Sequence, residues 1–335
     1  MPEPPFKLLQ LPGDILTYLA WEHLQPPSAV ALSLACKASF NLLFPLLKAS
    51  RLPLSDRNKA NLCALLEKDV STKYYFCSTC PSLHPFSPTD GPRASSLDFP
   101  AAAFGCQGPR NRRWSLGEDR FTMELRHVRL AINRHLFGPS SGISLDNFDV
   151  NYLTETNPRF SESWSAKIID GDLFLSSTRR TIWSAPYAKL LDGLLAHDYR
   201  LCEHTRLDEV STLRPRGNIG STMEPCTDVI GHCRFCFTDW TITAMCYPPT
   251  SQGNEEAAER WRLAVATYHR FPTARPRSPS SSTDSRFQYE TEVVPLYRDA
   301  GLLRDIWQGR ATRTARGGRW VTGGSGLFSE YPDSS

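Results

Sequence analysis

Two Cys-x-x-Cys pairs, Cys77/Cys80 and Cys233/Cys236, limit what this chain can fold into more than any other feature. Both sit in stretches crowded with Pro, Ser and Thr, where apolar residues are too irregular to build an ordinary core. Ten cysteines in 335 residues would suit a disulfide framework in a secreted chain. The opening residues carry no basic leader, however, and Pro12 and Asp14 interrupt the first apolar run. No stretch reaches the roughly 18 unbroken apolar residues that a membrane span needs. The expectation is therefore a reducing compartment, cytoplasmic or nuclear, in which the cysteines are buried thiols or metal ligands.

Spacing separates those two possibilities. A Cys-x-x-Cys turn brings two thiolates within reach of one ion, and zinc takes four Cys or His donors in a tetrahedron. The Cys233/Cys236 pair has a suitable partner ~30 residues upstream, the Cys-x-His formed by Cys202 and His204. Cys226 could replace one of these four; His232 reads as a bystander beside Cys233. The Cys77/Cys80 pair has His84 nearby and Cys106 further on, which would complete a second set. A closed set of four ligands has no open position, so either zinc would be structural and not catalytic. The competing reading is buried free cysteine behaving as a small hydrophobe. A redox role lacks the strand-then-helix placement such motifs use.

Along the chain, residues 8 to 50 read as helical. Pro12 suits the first turn of a helix running to about His23, and Asp14 favours the positive end of its dipole. Gln25-Pro26-Pro27 reads as a break, Ser28 as the cap of a second helix from Ala29 to about Cys36. A third helix carries Phe40, Leu43 and Phe44 and ends or kinks at Pro45. Ser55 caps a fourth, with Leu62, Leu65 and Leu66 on one face. Residues 70 to 118 read as loop, and 121 to 138 as a strand-like start running into a helix that closes on Gly138. Asp170-Gly171 between two β-friendly runs predicts a two-residue hairpin. Pro186 to Ala196 reads as helix, 238 to 247 as strand, and 254 to 268 as helix on Trp261, Val265 and Tyr268. The low-complexity run 272 to 285 reads as linker, 296 to 307 as a short helix, and the Gly/Arg-rich end as tail.

The front helices carry more large apolar side chains than three short helices can cover among themselves. Burying one such side chain is worth roughly 1.5–3 kcal/mol, so these helices call for a covering surface. The stretch "LPGDILTYLAWEHLQPPSAVALSLACKASFNLLF" resembles an F-box. The residues that carry the motif are Leu11, Pro12, Asp14, Ile15, Leu16, Leu19, Leu24, Pro26, Leu32, Leu34, Cys36, Lys37 and Phe40. Gly13 and Ala35 depart from it. The resemblance implies docking on the Skp adaptor of a cullin–RING (SCF-type) ubiquitin ligase. Leu11, Pro12, Ile15, Leu16, Leu19, Leu24, Leu32, Cys36 and Phe40 would form or support that contact. Looser patterns, among them "YYFCSTCPSLHPF", "KIIDGDLFLSSTRRTI" and "VVPLYRDAGLLRDIW", are similar to a group of F-box proteins from filamentous fungi.

No catalytic arrangement is present: there is no Gly-x-Ser-x-Gly, no phosphate loop ending in Lys-Ser/Thr and no His-Glu-x-x-His. The net charge of +3 is too small to argue for nucleic acid by itself, although Arg304, Arg310, Arg313, Arg316 and Arg319 crowd the last stretch. The expected architecture is α+β: an F-box over 6–50, a helix and Cys-rich loop over 51–118, and an α+β region with the second Cys/His cluster over 119–271. A linker (272–286), a short helical segment (287–310) and a flexible tail (311–335) follow. The expected function is a non-catalytic substrate adaptor, zinc-stabilised, gripping a protein target. The alternative is a zinc-stabilised protein- or nucleic-acid-binding protein with no ligase role.

Overall fold

The structure is a computed structural model that describes residues 11–49, 55–77, 80, 82–92, 113–115, 121–153, 159–184, 199–210, 225–247, 260–271, 299–313 and 320–322. It is mixed α+β, with helices at the front and a large sheet in the second half. Two compact units divide it. Among the described residues no helix is long and apolar enough to cross a membrane. The expected helix at 186–196, the linker at 272–285 and Cys106 lie outside the described residues.

The first unit opens with α1 (Gly13–Tyr18), which widens into a π-helical turn over Leu19–His23. α2 (Pro26–Leu34) and α3 (Lys37–Ala49) follow. Pro26 and Pro27, expected as a break, form the first turn of α2 with Gln25 as its cap; a missing N–H costs nothing where no intrahelical partner exists. α3 runs through Pro45, where an end or a kink was expected, with Leu43 and Leu47 on either side both buried. That core is Ala20, Ala29, Leu43 and Leu47, flanked by Val30, Leu32 and Leu42. α4 (Asp56–Val70) starts as expected at Ser55, whose hydroxyl accepts the Asn58 N–H at 3.2 Å.

Residues expected as loop after α4 form an antiparallel hairpin of β1 (Tyr74–Cys77) and β2 (Ser82–Pro85). Glu67 of α4, fully buried, organises this region. Its carboxylate accepts the Phe76 N–H at 2.8 Å, the Asn133 amide at 2.7 Å and the Arg129 guanidinium. After β3 (Arg113–Ser115) and β4 (Thr122–Glu124), the helix that carries Arg129 and Asn133, α5 (Leu125–Phe137), grows directly from β4, as the sequence suggested. It belongs to the first unit, with α4 and β1, and not with the sheet, where the 119–271 grouping placed it. Its buried His127 accepts the Glu124 N–H on Nδ1 at 3.0 Å.

The second unit is built on a six-stranded antiparallel sheet. In chain order its strands are β5 (Val150–Leu153), β6 (Arg159–Ile169), β7 (Asp172–Ser184), β10 (Cys226–His232), β11 (Thr238–Tyr247) and β12 (Arg260–Phe271). In space they run β10-β11-β12-β7-β6-β5. The β6–β7 hairpin turns at Asp170 (φ 52°) and Gly171 (φ 82°), the positive angles the Asp-Gly pair predicts. β12 corrects the helix expected over 254–268. Trp261 and Val265 fit a helical period and a strand period equally well, but Leu263, Thr267 and His269 alternate with them, all buried. β11 and β7 pair with β12 along its whole length. Its other face presents Tyr268 to Phe174, Leu303 and Ile306 of a short helix, α6 (Leu302–Trp307). Beyond it, β13 (Ala311–Arg313) pairs with β14 (Trp320–Thr322), so the region expected as flexible tail holds a two-stranded pairing.

Candidate metal centre

β8 (Arg200–Cys202) and β9 (Thr205–Arg206) form a tight antiparallel turn that ends one strand on Cys202 and places His204 in the bend. The connection between β10 and β11 supplies the other pair. Cys233 follows β10 directly and donates its N–H to the Thr238 carbonyl at 2.9 Å, while the Thr238 N–H reaches the Cys236 carbonyl at 2.9 Å. These bonds fold the five-residue link into a knuckle that turns both sulfurs inward. The Phe235 N–H donates to Cys233 Sγ at 3.3 Å.

The ligand atoms of Cys202, His204, Cys233 and Cys236 all lie within 4.8 Å of one another. Around a tetrahedral zinc, sulfurs about 2.3 Å from the ion stand about 3.8 Å apart, so one ion can reach all four. Cys202 and Cys233 are buried and His204 is exposed, its ring 5.6 Å from that of Phe235. The three thiols hydrogen-bond to one another. The Cys233 thiol is held far below its ordinary range, first by its hydrogen bond with Cys202 and then by that with Cys236. Cys202 is pushed up, first by the same bond to Cys233, and Cys236 is pushed up, first by its bond with Cys202. Metals bind thiolates, so an ion here would displace protons from these sulfurs.

Behind Cys236 runs a buried chain of polar side chains that the sequence reading missed. Cys236 Sγ lies 3.2 Å from Thr238 Oγ1, which lies 3.0 Å from His269 Nδ1. His269 Nε2 lies 3.1 Å from Thr267 Oγ1, itself 2.6 Å from Ser177 Oγ. With His269 protonated on Nδ1, every donor in this chain points toward the sulfur, the arrangement that orients and stabilises a thiolate ligand. The alternation of Thr267 and His269 with Val265 was the available signal, obscured by the helical reading of that segment.

A second group is smaller. Cys77, Cys80 and His84 bring their ligand atoms within the same 4.8 Å, with Cys80 Sγ 2.8 Å from His84 Nε2. Burial holds His84 below its ordinary pKa. Cys106, the expected fourth ligand, lies outside the described residues. Cys226 is corrected: it opens β10 opposite Ala244 and packs at the margin of the apolar core, not in the cluster. It stands seven positions before Cys233 along β10, a strand that advances ~3.3 Å per residue despite a bulge at Asp228, too far to share an ion. His232 stays out of the cluster, as expected.

The front residues divide by exposure. Leu16 is buried, Leu11, Leu19, Leu32 and Cys36 are half-buried, and Pro12, Ile15, Leu24 and Phe40 are exposed. Tyr18, Trp21, Leu34 and Leu46 are exposed as well. Cys36 accepts the Ser39 N–H at 3.4 Å, and Phe40 stacks on Phe44 with centroids 4.5 Å apart. In the Arg-rich end, Arg304 and Arg310 pair with Asp305. The chain matches none of the protein-family models, curated proteins or solved structures with which it was compared.

Proposed function

We propose that this protein is a non-catalytic substrate adaptor: α1–α3 act as an F-box that docks on the Skp adaptor of a cullin–RING ubiquitin ligase, and the remainder receives a protein target. Its mechanism is proximity, which raises the effective concentration of the target near the ubiquitin-charged enzyme. The observation that carries the reading is the exposure of Ile15, Tyr18, Trp21, Leu24, Leu34, Phe40 and Leu46 on three short helices whose shared core is mainly alanine and leucine. Large apolar side chains exposed in such number mark interaction sites, and all of these but Leu46 fall within the stretch that resembles an F-box.

In this reading zinc occupies the Cys202/His204/Cys233/Cys236 set as a structural ion. Soft thiolates and an imidazole in a closed set of four suit zinc over calcium or magnesium. The ion ties the β8–β9 turn to the edge of the sheet.

The test is co-expression with a Skp adaptor. The wild-type chain is expected to co-purify with it, and Ile15→Asp combined with Trp21→Asp to abolish the complex while both proteins stay folded. A wild-type chain that elutes free of the adaptor, or a variant that still binds it, removes the adaptor role.

A further inference from the structure

We propose that the β1–β2 hairpin carries a second zinc site, to which Cys77, Cys80 and His84 contribute three ligands. The proposal goes beyond the adaptor reading and does not depend on it.

The hairpin delivers one donor from each of its three parts. In the antiparallel register Cys77 stands opposite Ser82, and Tyr75 opposite His84. Side chains alternate along a strand, so Cys77 and His84 share one face of the hairpin, while Phe76 points to the other. Cys80 lies in the connection between the strands. All three donor atoms converge within 4.8 Å. His84 is buried and Cys77 and Cys80 are half-buried, so an ion there is partly shielded and still reachable from solvent.

The hairpin also needs what a metal supplies. Two strands of four residues are too short to be stable alone. One edge is anchored by the Glu67 carboxylate on the Phe76 N–H. A zinc at the turn end cross-links both strands and the connection, next to the Phe76 anchor. Two thiolates and one imidazole select zinc over hard cations. Across a tetrahedral zinc, sulfur and nitrogen stand about 3.5 Å apart, so binding opens the 2.8 Å contact between Cys80 and His84 by less than an ångström.

The experiment is metal analysis of the full chain, with cobalt as the spectroscopic probe. Wild-type protein is expected to hold two zinc ions. Cys77→Ser with Cys80→Ser should leave one ion and remove the cobalt–thiolate absorption of two sulfurs, while the three-thiolate spectrum of the other centre persists and reports that the chain is folded. His84→Cys should keep both ions and add a thiolate contribution. A wild-type chain with no metal or a single ion, or a metal content unchanged by the double serine variant, overturns the proposal. Skp binding, measured on the same samples, separates failure of this site from failure of the adaptor reading.

Discussion

The front helices and the sheet use apolar residues in opposite ways. In the sheet, Leu173, Phe174, Leu175 and Ile242 are at most 1% exposed, and both faces are covered by segments of the same unit. In α1–α3, Ile15, Tyr18 and Trp21 are each about half exposed (42%, 56% and 50%). The difference is one of area. A twelve-residue strand paired on both sides presents two continuous faces that a turn and a short helix can cap. Three helices of six to thirteen residues enclose a core too thin to hold every large side chain they carry. The sheet buries its large apolar side chains within its own unit; the helices leave several of theirs at the surface.

The strongest way to break that contrast is to remove the ion that we assign to the sheet unit. A structural zinc in a small site carries roughly 10–16 kcal/mol of folding free energy, comparable with the whole stability of a domain, roughly 5–15 kcal/mol. Cys233→Ser with Cys236→Ser, or a strong chelator, is expected to abolish cooperative thermal unfolding of the sheet unit as read by calorimetry. An unchanged transition would show that the sheet needs no metal. The next effect probes the interior of the helical unit. Glu67→Ala strands the Arg129 guanidinium and the Phe76 N–H and should cost roughly 3–5 kcal/mol in denaturant unfolding, whereas an exposed ion pair such as Lys59–Asp56 should cost under about 1 kcal/mol when broken.

Acid gives a smaller effect in the same unit. Burial, and then the charge of Arg126, hold His127 down at about 3. The unfolded chain takes up a proton near its ordinary value of 6.5, so the stability His127 confers is complete above that pH and is lost as pH falls toward 3. Between pH 7 and pH 5 the expected loss is about 2 kcal/mol. His127→Gln should flatten that part of the pH profile. The smallest effect on stability sharpens the comparison most: Ile15→Asp should change the unfolding free energy by less than about 0.5 kcal/mol, while the adaptor complex is lost. A large destabilisation would mean that Ile15 belongs to the interior of this chain.

What could be read in advance follows the range of the forces involved. The Asp170-Gly171 turn, the Ser55 cap and strand 238–247 are local, set by backbone angles, one hydrogen bond or strict alternation within ten residues. The Cys/His grouping was legible because residues able to hold one ion must converge wherever the chain goes. β12 was misread because Trp261, Val265 and Tyr268 satisfy a helical spacing, which obscured the alternation of buried residues; its pairing with β11 and with β7, far back in the chain, decides for a strand. Glu67 gave no signal at all. A glutamate in a helix reads as a solvated residue until Arg129 and Asn133, more than sixty positions later, fold over it. Cys226 is the reverse case: chemically suited to a metal, and excluded by the length of the strand that follows it.

The strand order carries a consequence for synthesis. β12 fills the slot between β11 and β7, and its nearest pairing with β7 joins Arg260 to Ser184. As the chain emerges from the ribosome, the β6–β7 hairpin can close at once, but one of its edges stays bare until the residues up to Phe271 have been made. Closing so long a loop is slow, and an unpaired edge invites other chains. A nascent chain stalled before Arg260 would leave both β7 and β11 unpaired along that side, which makes the interval between these strands the window in which a chaperone matters most.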